Sequence, residues 1–416
     1  MTDQERRGWI IVGAICVTMF FIWGAINSTA VFFVPVLKHF GWTRAEFSLV
    51  LSIGWITGGA AGPLIGWLAD RVNPKRMIAV GATVTGILWI LLSRATTYSE
   101  FFVINSLFGI CVGASTTIPC SLIIASWFER QRGLAIGIAF AAAPIGGAGI
   151  TPIVSHVIAT WGWRAGYLAL GLPIVFIVVP MIVFLVRPAG SGEAAASRAP
   201  SSEGRAPAPV QLPGFELGQA YRTRSFWLIS AVQFLIGGTL GMGVHFVAYL
   251  TGVGYSPGFA ATMVSLYLVM TTIGALLGGP FADRSGARSA LTATCLLGAL
   301  GAVGLLEVSH GLGLAVNIIA GGFALGAQGV QMPLVIIESL GVKRFGSLMG
   351  VTGVFYTIGA FISPIAAGHI FDVSGSYAFA IIAFIVMLSA SAVALLGTRS
   401  LAGEEAQFAA STSAAA

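Results

Sequence analysis

The chain has 416 residues, of which 56% are hydrophobic and 9% are charged, and its mean hydropathy is +0.92. A soluble core of this size cannot hide so much apolar surface, so the composition excludes a soluble globular protein and indicates an integral membrane protein. The net charge of +6 does not indicate nucleic-acid binding, because the basic residues fall in short segments between apolar stretches, where they set membrane topology.

Twelve apolar stretches are long enough to cross a bilayer of about 30 Å as helices. They lack the strict polar and apolar alternation of barrel strands. In chain order they cover approximately residues 9–37, 45–69, 76–93, 101–126, 133–157, 165–186, 226–251, 258–281, 289–307, 312–338, 346–370 and 376–397. We predict an all-α membrane protein with twelve transmembrane helices in two six-helix bundles, residues 1–186 and 226–398.

Two segments outside the bundles have a different composition. Residues 187–225 are rich in Ala, Ser, Gly, Pro and Arg, with too few large apolar residues to pack, so we predict a cytoplasmic linker. The end of this linker, Phe215 to Arg224, is predicted to form a short surface helix. Residues 399–416 are rich in Ala and Ser, and we expect a disordered tail.

The distribution of Lys and Arg predicts the orientation in the membrane. If the N-terminus is cytoplasmic, all but four of the 21 basic residues lie on the cytoplasmic side, the exceptions being Lys38, Arg44, Arg94 and Arg164. Cytoplasmic segments carry such an excess of basic residues. We therefore predict a multi-pass protein of the cell inner membrane with both termini in the cytoplasm.

A short charged motif recurs at a spacing of 213 residues. Its copies occupy residues 66–76 and 279–288, and each contains an Asp-Arg pair between apolar stretches. The same offset relates glycines elsewhere in the two halves: Gly109 and Gly322, Gly133 and Gly346, Gly146 and Gly359, Gly162 and Gly375. The halves are therefore copies of one unit that run in the same direction, as in parallel-repeat transporters.

The repeated motif predicts contacts between the halves. An Asp at a helix end can accept hydrogen bonds from the positive N-terminus of another helix. By the symmetry of the repeat, Asp70 should face the start of the eleventh helix near Gly346, and Asp283 the start of the fifth near Gly133. The alternative is that these residues only set the topology of the loops. The predicted gating residues are Asp70, Arg71, Arg76, Arg132, Asp283, Arg284, Arg288 and Arg344.

The repeated motif resembles that of the major facilitator superfamily. The resemblance implies two six-helix bundles around a central cavity, lined chiefly by the first, fourth, seventh and tenth helices, and alternating access. Within this superfamily the first half is similar to the monocarboxylate porters, and the same residues are shared with oxalate and formate exchangers. The similar segments are Trp127 to Gly137, Ala143 to Gly146, Gly162 to Arg164, and Arg187-Pro188.

The charged carboxylate site of these porters is not carried over to this chain. The porters typically have a Lys in the first helix, where this chain has Asn27, and an Asp with an Arg in the eighth, which here has no charge before Asp283. The eleventh helix also lacks the Lys of oxalate exchangers. Burying a charge near the bilayer centre is costly, so its absence tells against a strongly charged substrate. Either an anion is held by neutral donors and helix dipoles, or the solute is neutral or amphipathic.

Polar and aromatic residues at membrane depth are the candidates for the cavity. A free imidazole can titrate near neutral pH, so His245 is either a proton site or a neutral side chain bonded within the bundle. The tenth helix places Asn317, Gln328 and Gln331 on one side, where glutamines bond across helices or to a ligand. The predicted substrate-binding residues are Trp23, Asn27, Thr116, His245, Tyr249, Tyr267, Gln328, Gln331 and Tyr356.

These observations favour a secondary active transporter for a small organic solute, with a monocarboxylate as the leading class and proton symport as an open alternative. The first rival is an efflux porter for neutral or amphipathic compounds. A membrane sensor or membrane-embedded enzyme is disfavoured, because the sequence has no metal cluster, triad or paired carboxylates at membrane depth. We predict no cofactor, no catalytic residue, no nucleic-acid partner and a monomer in the lipid bilayer.

Overall fold

A computed structural model of the chain describes residues 3–128, 131–186, 213–309 and 311–415. Within these ranges ten helical segments are long and apolar enough to cross a membrane, and a pair of helices bent by 47° adds an eleventh. The segment Arg132–Leu185 has 54 residues and contains two helices, which meet at Gly162 with a φ of 85°. Divided there, the described residues form the twelve helices predicted from the sequence.

The first bundle contains helices 1 to 6, several of which are interrupted. Helix 1 passes through a 3₁₀ turn, helix 2 is bent at Ala61, and helix 4 is broken at Thr116. Their bounds are Asp3–Asn27 with Ser28–Phe32 and Phe33–Phe40, Arg44–Ala60 with Gly62–Ala69, Pro74–Leu92, Tyr98–Ser115 with Thr117–Trp127, 132–161, and 163–185.

The second bundle contains helices 7 to 12. Helix 7 is interrupted at Thr239 and Leu240, and helix 10 contains a π-helical turn at Asn317–Gly321. Their bounds are Arg224–Gly238 with Gly241–Gly252, Pro257–Ser285, Ala287–Leu306, Gly311–Val316 continuing to Leu340, Phe345–Ser374, and Ala378–Leu396.

Polar side chains fix where several helices begin. Thr43 and Thr97 each cap a helix whose third residue, Glu46 or Glu100, reaches back to the cap backbone. These reciprocal bonds satisfy amide groups that a helix start leaves unpaired. Gly286 adopts a φ of 82° between helices 8 and 9, a conformation that favours glycine. The short connections therefore hold consecutive helices antiparallel.

The bundles touch along two seams, helix 2 against helix 11 and helix 5 against helix 8. Both lie at the end of the bundles that carries the repeated motif, which we call the motif end. Gly66 packs on the Gly346 carbonyl, and Gly279 on the Gly133 carbonyl, so closely that a Cβ atom at either position would overlap backbone. Small residues permit such backbone contact between membrane helices. The glycines that the repeat aligns therefore serve as the contact points between the bundles.

The predicted linker, residues 187–225, lies largely outside the described residues, which resume at 213. Its described end contains a short helix, Leu217–Ala220, as predicted for this part of the chain. Just before it, Gly214 pairs with Gly341, and the Phe215 amide donates to the Leu340 carbonyl at 3.1 Å. The end of the linker is thus attached to the turn between helices 10 and 11.

The prediction of a disordered tail is wrong for the described residues, which form a helix at Leu401–Ala415. Glu404 is buried and accepts hydrogen bonds from the backbone amide and hydroxyl of Ser225, at the start of helix 7. Phe408 meets Phe215 at a ring distance of 5.9 Å. Because these two anchors lie in an otherwise Ala- and Ser-rich segment, composition alone did not reveal them.

Glu404→Ala should detach the tail helix, because it leaves the Ser225 amide and hydroxyl without their acceptor. An unpaired buried polar group costs about 1–3 kcal/mol. We expect faster proteolysis and faster hydrogen exchange of residues 401–408 in the purified protein. Glu405→Ala is the matched control, since its side chain is exposed. Equal protection of the tail in both variants would contradict the anchoring role of Glu404.

Candidate functional site

The first Asp of the repeat lies at the start of helix 11. One carboxylate oxygen of Asp70 accepts from the Gly346 amide at 2.7 Å, and the other from the Ser347 amide at 2.8 Å. These amides are unpaired groups of the helix N-terminus, where the helix dipole favours a negative charge. The contact predicted from the repeat is therefore present.

The second Asp makes the equivalent contact in the other half. The Asp283 carboxylate accepts from the Gly133 amide at 2.9 Å and from the Leu134 amide at 3.0 Å, at the start of helix 5. Each bundle thus supplies one carboxylate and one helix start to the closed motif end. We call these two contacts the Asp70 latch and the Asp283 latch.

The arginines predicted for the gate have different surroundings. Arg344 pairs with Glu216 at 2.6 Å, and Arg288 pairs with Glu338 at 3.0 Å and donates to the Thr398 carbonyl. Arg71 lies over the Trp67 ring at 4.1 Å, and Arg132 donates to the Phe128 carbonyl at 2.6 Å. Arg76 and Arg284 are exposed.

Glu216 connects the linker end to the start of helix 11. Hydrogen bonds from Arg344 and then Lys343 hold the pKa of this carboxyl below its usual range. The carboxylate therefore stays ionised near neutral pH and keeps the turn that presents the Gly346 amide in place. Sequence reasoning missed Glu216 and Glu338, because isolated acids in loops carry no pattern that identifies their partners.

A cavity of about 270 Å³ lies inside the second bundle, bounded by helices 7, 8, 9, 10 and 12. It adjoins the interruption of helix 7 at Thr239 and Leu240 and the π-helical turn of helix 10. Its walls are mostly apolar and include no charged side chain. Of the predicted substrate-binding residues, the structure brings Tyr267 and Gln328 to this cavity.

Asn317 is the most unusual polar residue of the cavity wall. Its amide nitrogen donates to the Gly301 carbonyl at 3.0 Å, but its oxygen is buried and has no hydrogen-bond partner among the described residues. The amide nitrogen of Gln328 donates weakly to the Thr294 carbonyl at 3.4 Å. Asn317 was placed on this face by the sequence, but its unpaired oxygen depends on the π-helical turn, which no sequence signal revealed.

His245 and Tyr249 lie outside the cavity wall. The two ring nitrogens of His245 contact the Pro364 carbonyl at 3.0 Å and the Tyr377 hydroxyl at 3.2 Å, so His245 joins helices 7, 11 and 12. Tyr249 donates to the Leu305 carbonyl of helix 9 at 2.6 Å. These contacts match the interpretation of His245 as a side chain bonded within the bundle.

Two other predicted residues form hydrogen bonds inside the protein: Gln331 between helices and Thr116 within its own helix. Gln331 is fully buried, accepts from the Thr294 hydroxyl at 2.7 Å and donates to the Gly278 carbonyl at 3.1 Å. Thr116 is buried and donates to the Val112 carbonyl one turn back. Both side chains have satisfied hydrogen bonds without a ligand.

The remaining predicted residues lie near the interface of the bundles or in the first bundle. Trp23 packs on Trp55 with ring centres 6.1 Å apart, and Asn27 is exposed beside Gly147. Tyr356 is half-buried where helix 11 passes helix 7. The structure therefore does not gather the nine predicted residues into one site.

Comparison with known proteins agrees with this architecture. The sequence profile of the Major Facilitator Superfamily matches residues 15–259 and 246–413, which together span most of the chain. A crystal structure of the E. coli fucose:proton symporter FucP has a TM-score of 0.66 at 16% identity, covering 92% of this chain and 97% of its own. Another FucP structure, in the outward conformation, has a TM-score of 0.67 and covers 94% and 98%. The predicted fold class is confirmed.

Curated relatives are distant but match over nearly their whole length. Monocarboxylate transporter 13 of Bos taurus is 24% identical, covering 89% of this chain and 84% of the relative. The uncharacterized MFS-type transporter YcxA of Bacillus subtilis is 25% identical, covering 94% and 95%. The probable sulfoacetate transporter SauU of Cupriavidus necator is 23% identical, covering 91% and 90%. The resemblance to monocarboxylate porters is confirmed.

The paired bundles, the two matched latches and the profile match lead to the same conclusion. The family consists of multi-pass membrane transporters of small solutes and not of enzymes. The chain belongs to the Major Facilitator Superfamily of transporters.

Proposed function

We propose that this protein is a secondary active transporter that carries a small organic acid, with monocarboxylates as the leading class, by alternating access. The observation that carries the proposal is the pair of latches, because each joins the two bundles through a few hydrogen bonds at one end only. Such contacts can break and re-form as units while each bundle keeps its own packing. Two bundles joined in this way can rock against each other.

The proposed cycle depends on the strength of the latches. Four charge-assisted hydrogen bonds stabilise the state in which the motif end is closed. Solute binding between the bundles must compensate for the loss of these bonds when the motif end opens. The basic residues of the motif favour a cytoplasmic position for this end. In that orientation the two latches form the cytoplasmic gate of the proposed cycle.

The chemistry of the cavity supports a weakly charged substrate. Its wall is neutral, and both nitrogens of His245 are engaged by Pro364 and Tyr377. A monocarboxylate can carry its own proton, since RCOO⁻ and H⁺ combine to the neutral acid RCOOH, and symport then needs no titrating side chain. The names of the bovine and Cupriavidus relatives also point to small organic acids.

Uptake into proteoliposomes tests this proposal. Labelled lactate or pyruvate should accumulate when the outside is more acidic than the inside, and accumulation should fall when a protonophore removes the gradient. Empty liposomes are the control. Uptake no faster than into empty liposomes, across a panel of monocarboxylates, would contradict the monocarboxylate assignment.

The apolar wall of the cavity also favours a second candidate, an efflux porter for neutral or amphipathic compounds. The two functions differ in cells. Deletion of an efflux porter lowers the concentration at which amphipathic drugs inhibit growth, whereas deletion of an acid importer impairs growth on that acid. A susceptibility shift without a growth defect would favour efflux.

A further inference from the structure

The cavity of the second bundle lies where the two repeats carry different side chains. In the first bundle Trp89 is buried and contacts Phe108 at 4.7 Å and Tyr167 at 5.8 Å between ring centres. The 213-residue offset pairs Trp89 with Ala302 and Phe108 with Gly321, and both of these small residues lie on the cavity wall. The same offset pairs Gly54 with Tyr267 and Gly171 with Phe384, which also lie on the cavity wall, so the aromatic rings stand on different helices in the two repeats.

The backbone of helix 10 is also altered at this place. The π-helical turn Asn317–Gly321 contains Gly321 and begins at Asn317. Such turns often occur at functional sites, because they widen the helix locally and redirect side chains. Here the turn leaves the Asn317 oxygen buried without a donor. A buried acceptor without a partner costs about 1–3 kcal/mol, so this side chain beside the cavity lacks a hydrogen-bond donor, which a ligand can supply once the Asn317 amide turns toward the cavity.

We infer that this cavity is a side pocket that binds the uncharged end of the transported acid, a group about the size of one aromatic ring with a hydrogen-bond donor for Asn317. An apolar cavity of about 150 Å³ holds benzene, and the volume here is about 270 Å³. Phenol and indole groups have both the size and the donor. The inference rests on the proposed function and narrows its substrate class.

We place the entrance of the pocket on the side of helix 7. Thr239, Leu240 and Gly243, at the interruption of helix 7, form part of its wall. Helices 7 and 10 are also the elements of this bundle that the family resemblance places at the central cavity. The carboxyl group would therefore remain between the bundles while the ring enters between helices 7, 8 and 10.

A series of acids tests the inference in proteoliposomes. Lactate, phenylacetate and 4-hydroxyphenylacetate compete for uptake, and 4-hydroxyphenylacetate should bind about 3- to 10-fold tighter than phenylacetate, because it supplies the missing donor. Asn317→Ala should abolish this difference. Equal inhibition constants for the two ring acids in the wild type would overturn the role of Asn317.

A substitution that fills the pocket with a larger side chain is the second test of the inference. Ala302→Leu should weaken binding of both ring acids, through overpacking, at least about 10-fold more than it weakens binding of lactate. Leu300→Phe is the matched control, since Leu300 on the same helix is exposed on the outer surface. Ala302→Val serves if the larger variant does not fold. If a lipid chain or water normally occupies the pocket, the substitution at Ala302 should affect the binding of all three acids equally. That result would overturn the inference.

The same experiment separates the inference from the proposed function. 4-Hydroxyphenylacetamide has the ring and its donor but no carboxyl group. If it competes as well as the acid and depends on Ala302, the pocket is confirmed and the monocarboxylate assignment fails. If lactate is transported but ring size has no effect, the assignment stands and the pocket is overturned.

Discussion

Asp70→Asn combined with Asp283→Asn should shift the protein toward a state with an open motif end and lower uptake at least about tenfold. An Asn side chain has one acceptor oxygen, and its amide group would face the second backbone N–H of each helix start. Losing one charge-assisted bond costs about 2 kcal/mol, which corresponds to roughly 30-fold in an equilibrium constant for each latch, and about 4 kcal/mol for the double variant.

The shift can be measured as a distance between spin labels on the turn that joins helices 2 and 3 and the turn that joins helices 8 and 9. Asp372→Asn is the control, because Asp372 is an exposed carboxylate at the other end of helix 11. Expression and melting temperature should be unchanged in all variants. Unaltered label distances together with normal uptake would show that the two aspartates only set topology.

Gly66→Ala combined with Gly279→Ala should prevent closure of the motif end by a steric route. A Cβ atom at either position overlaps the carbonyl oxygen of Gly346 or Gly133. These carbonyls belong to regular helices, so they cannot move away without disturbing their own hydrogen bonds. We expect uptake to fall at least about tenfold, since overpacking of this kind costs about 1–3 kcal/mol or more.

Gly353→Ala is the matched control for this steric effect. Gly353 lies on helix 11, and a Cβ atom there would meet nothing within 4 Å. Because the seams join separate bundles, each bundle should still fold, and the glycine variants should purify as monodisperse protein. Wild-type uptake by the double variant would mean that the bundles do not need to approach as closely as the structure shows.

The latches were predictable because the repeat supplies long-range information. One register relates Asp70 to Asp283 and Gly346 to Gly133, so a proposed partner for one Asp implies the partner of the other. The interpretation of His245 as a proton site lacked such support. Its partners are Pro364 of helix 11 and Tyr377 just before helix 12, and only the tertiary packing brings them to the imidazole.

The candidate pocket was less predictable for a related reason. Asn317 and Gln328 were identified as polar residues on one face of helix 10, but their different roles depend on neighbouring helices. Gln331 finds partners on helices 8 and 9, whereas the oxygen of Asn317 finds none. Small residues such as Ala302 give no polar signal. Their place on the cavity wall becomes apparent only from the packing of helix 9 against helices 7, 8, 10 and 12.

The reciprocal form of the two latches has a consequence for the origin of the chain. Each half contributes the carboxylate to one contact and the helix start to the other, so the same patch of one unit recognises the same patch of its copy. This is the geometry of an isologous, two-fold symmetric dimer interface. A single ancestral six-helix unit with this motif would already have possessed both halves of the contact and could have closed against an identical molecule. Gene fusion then preserved the pairing and allowed the side chains inside the two bundles to diverge.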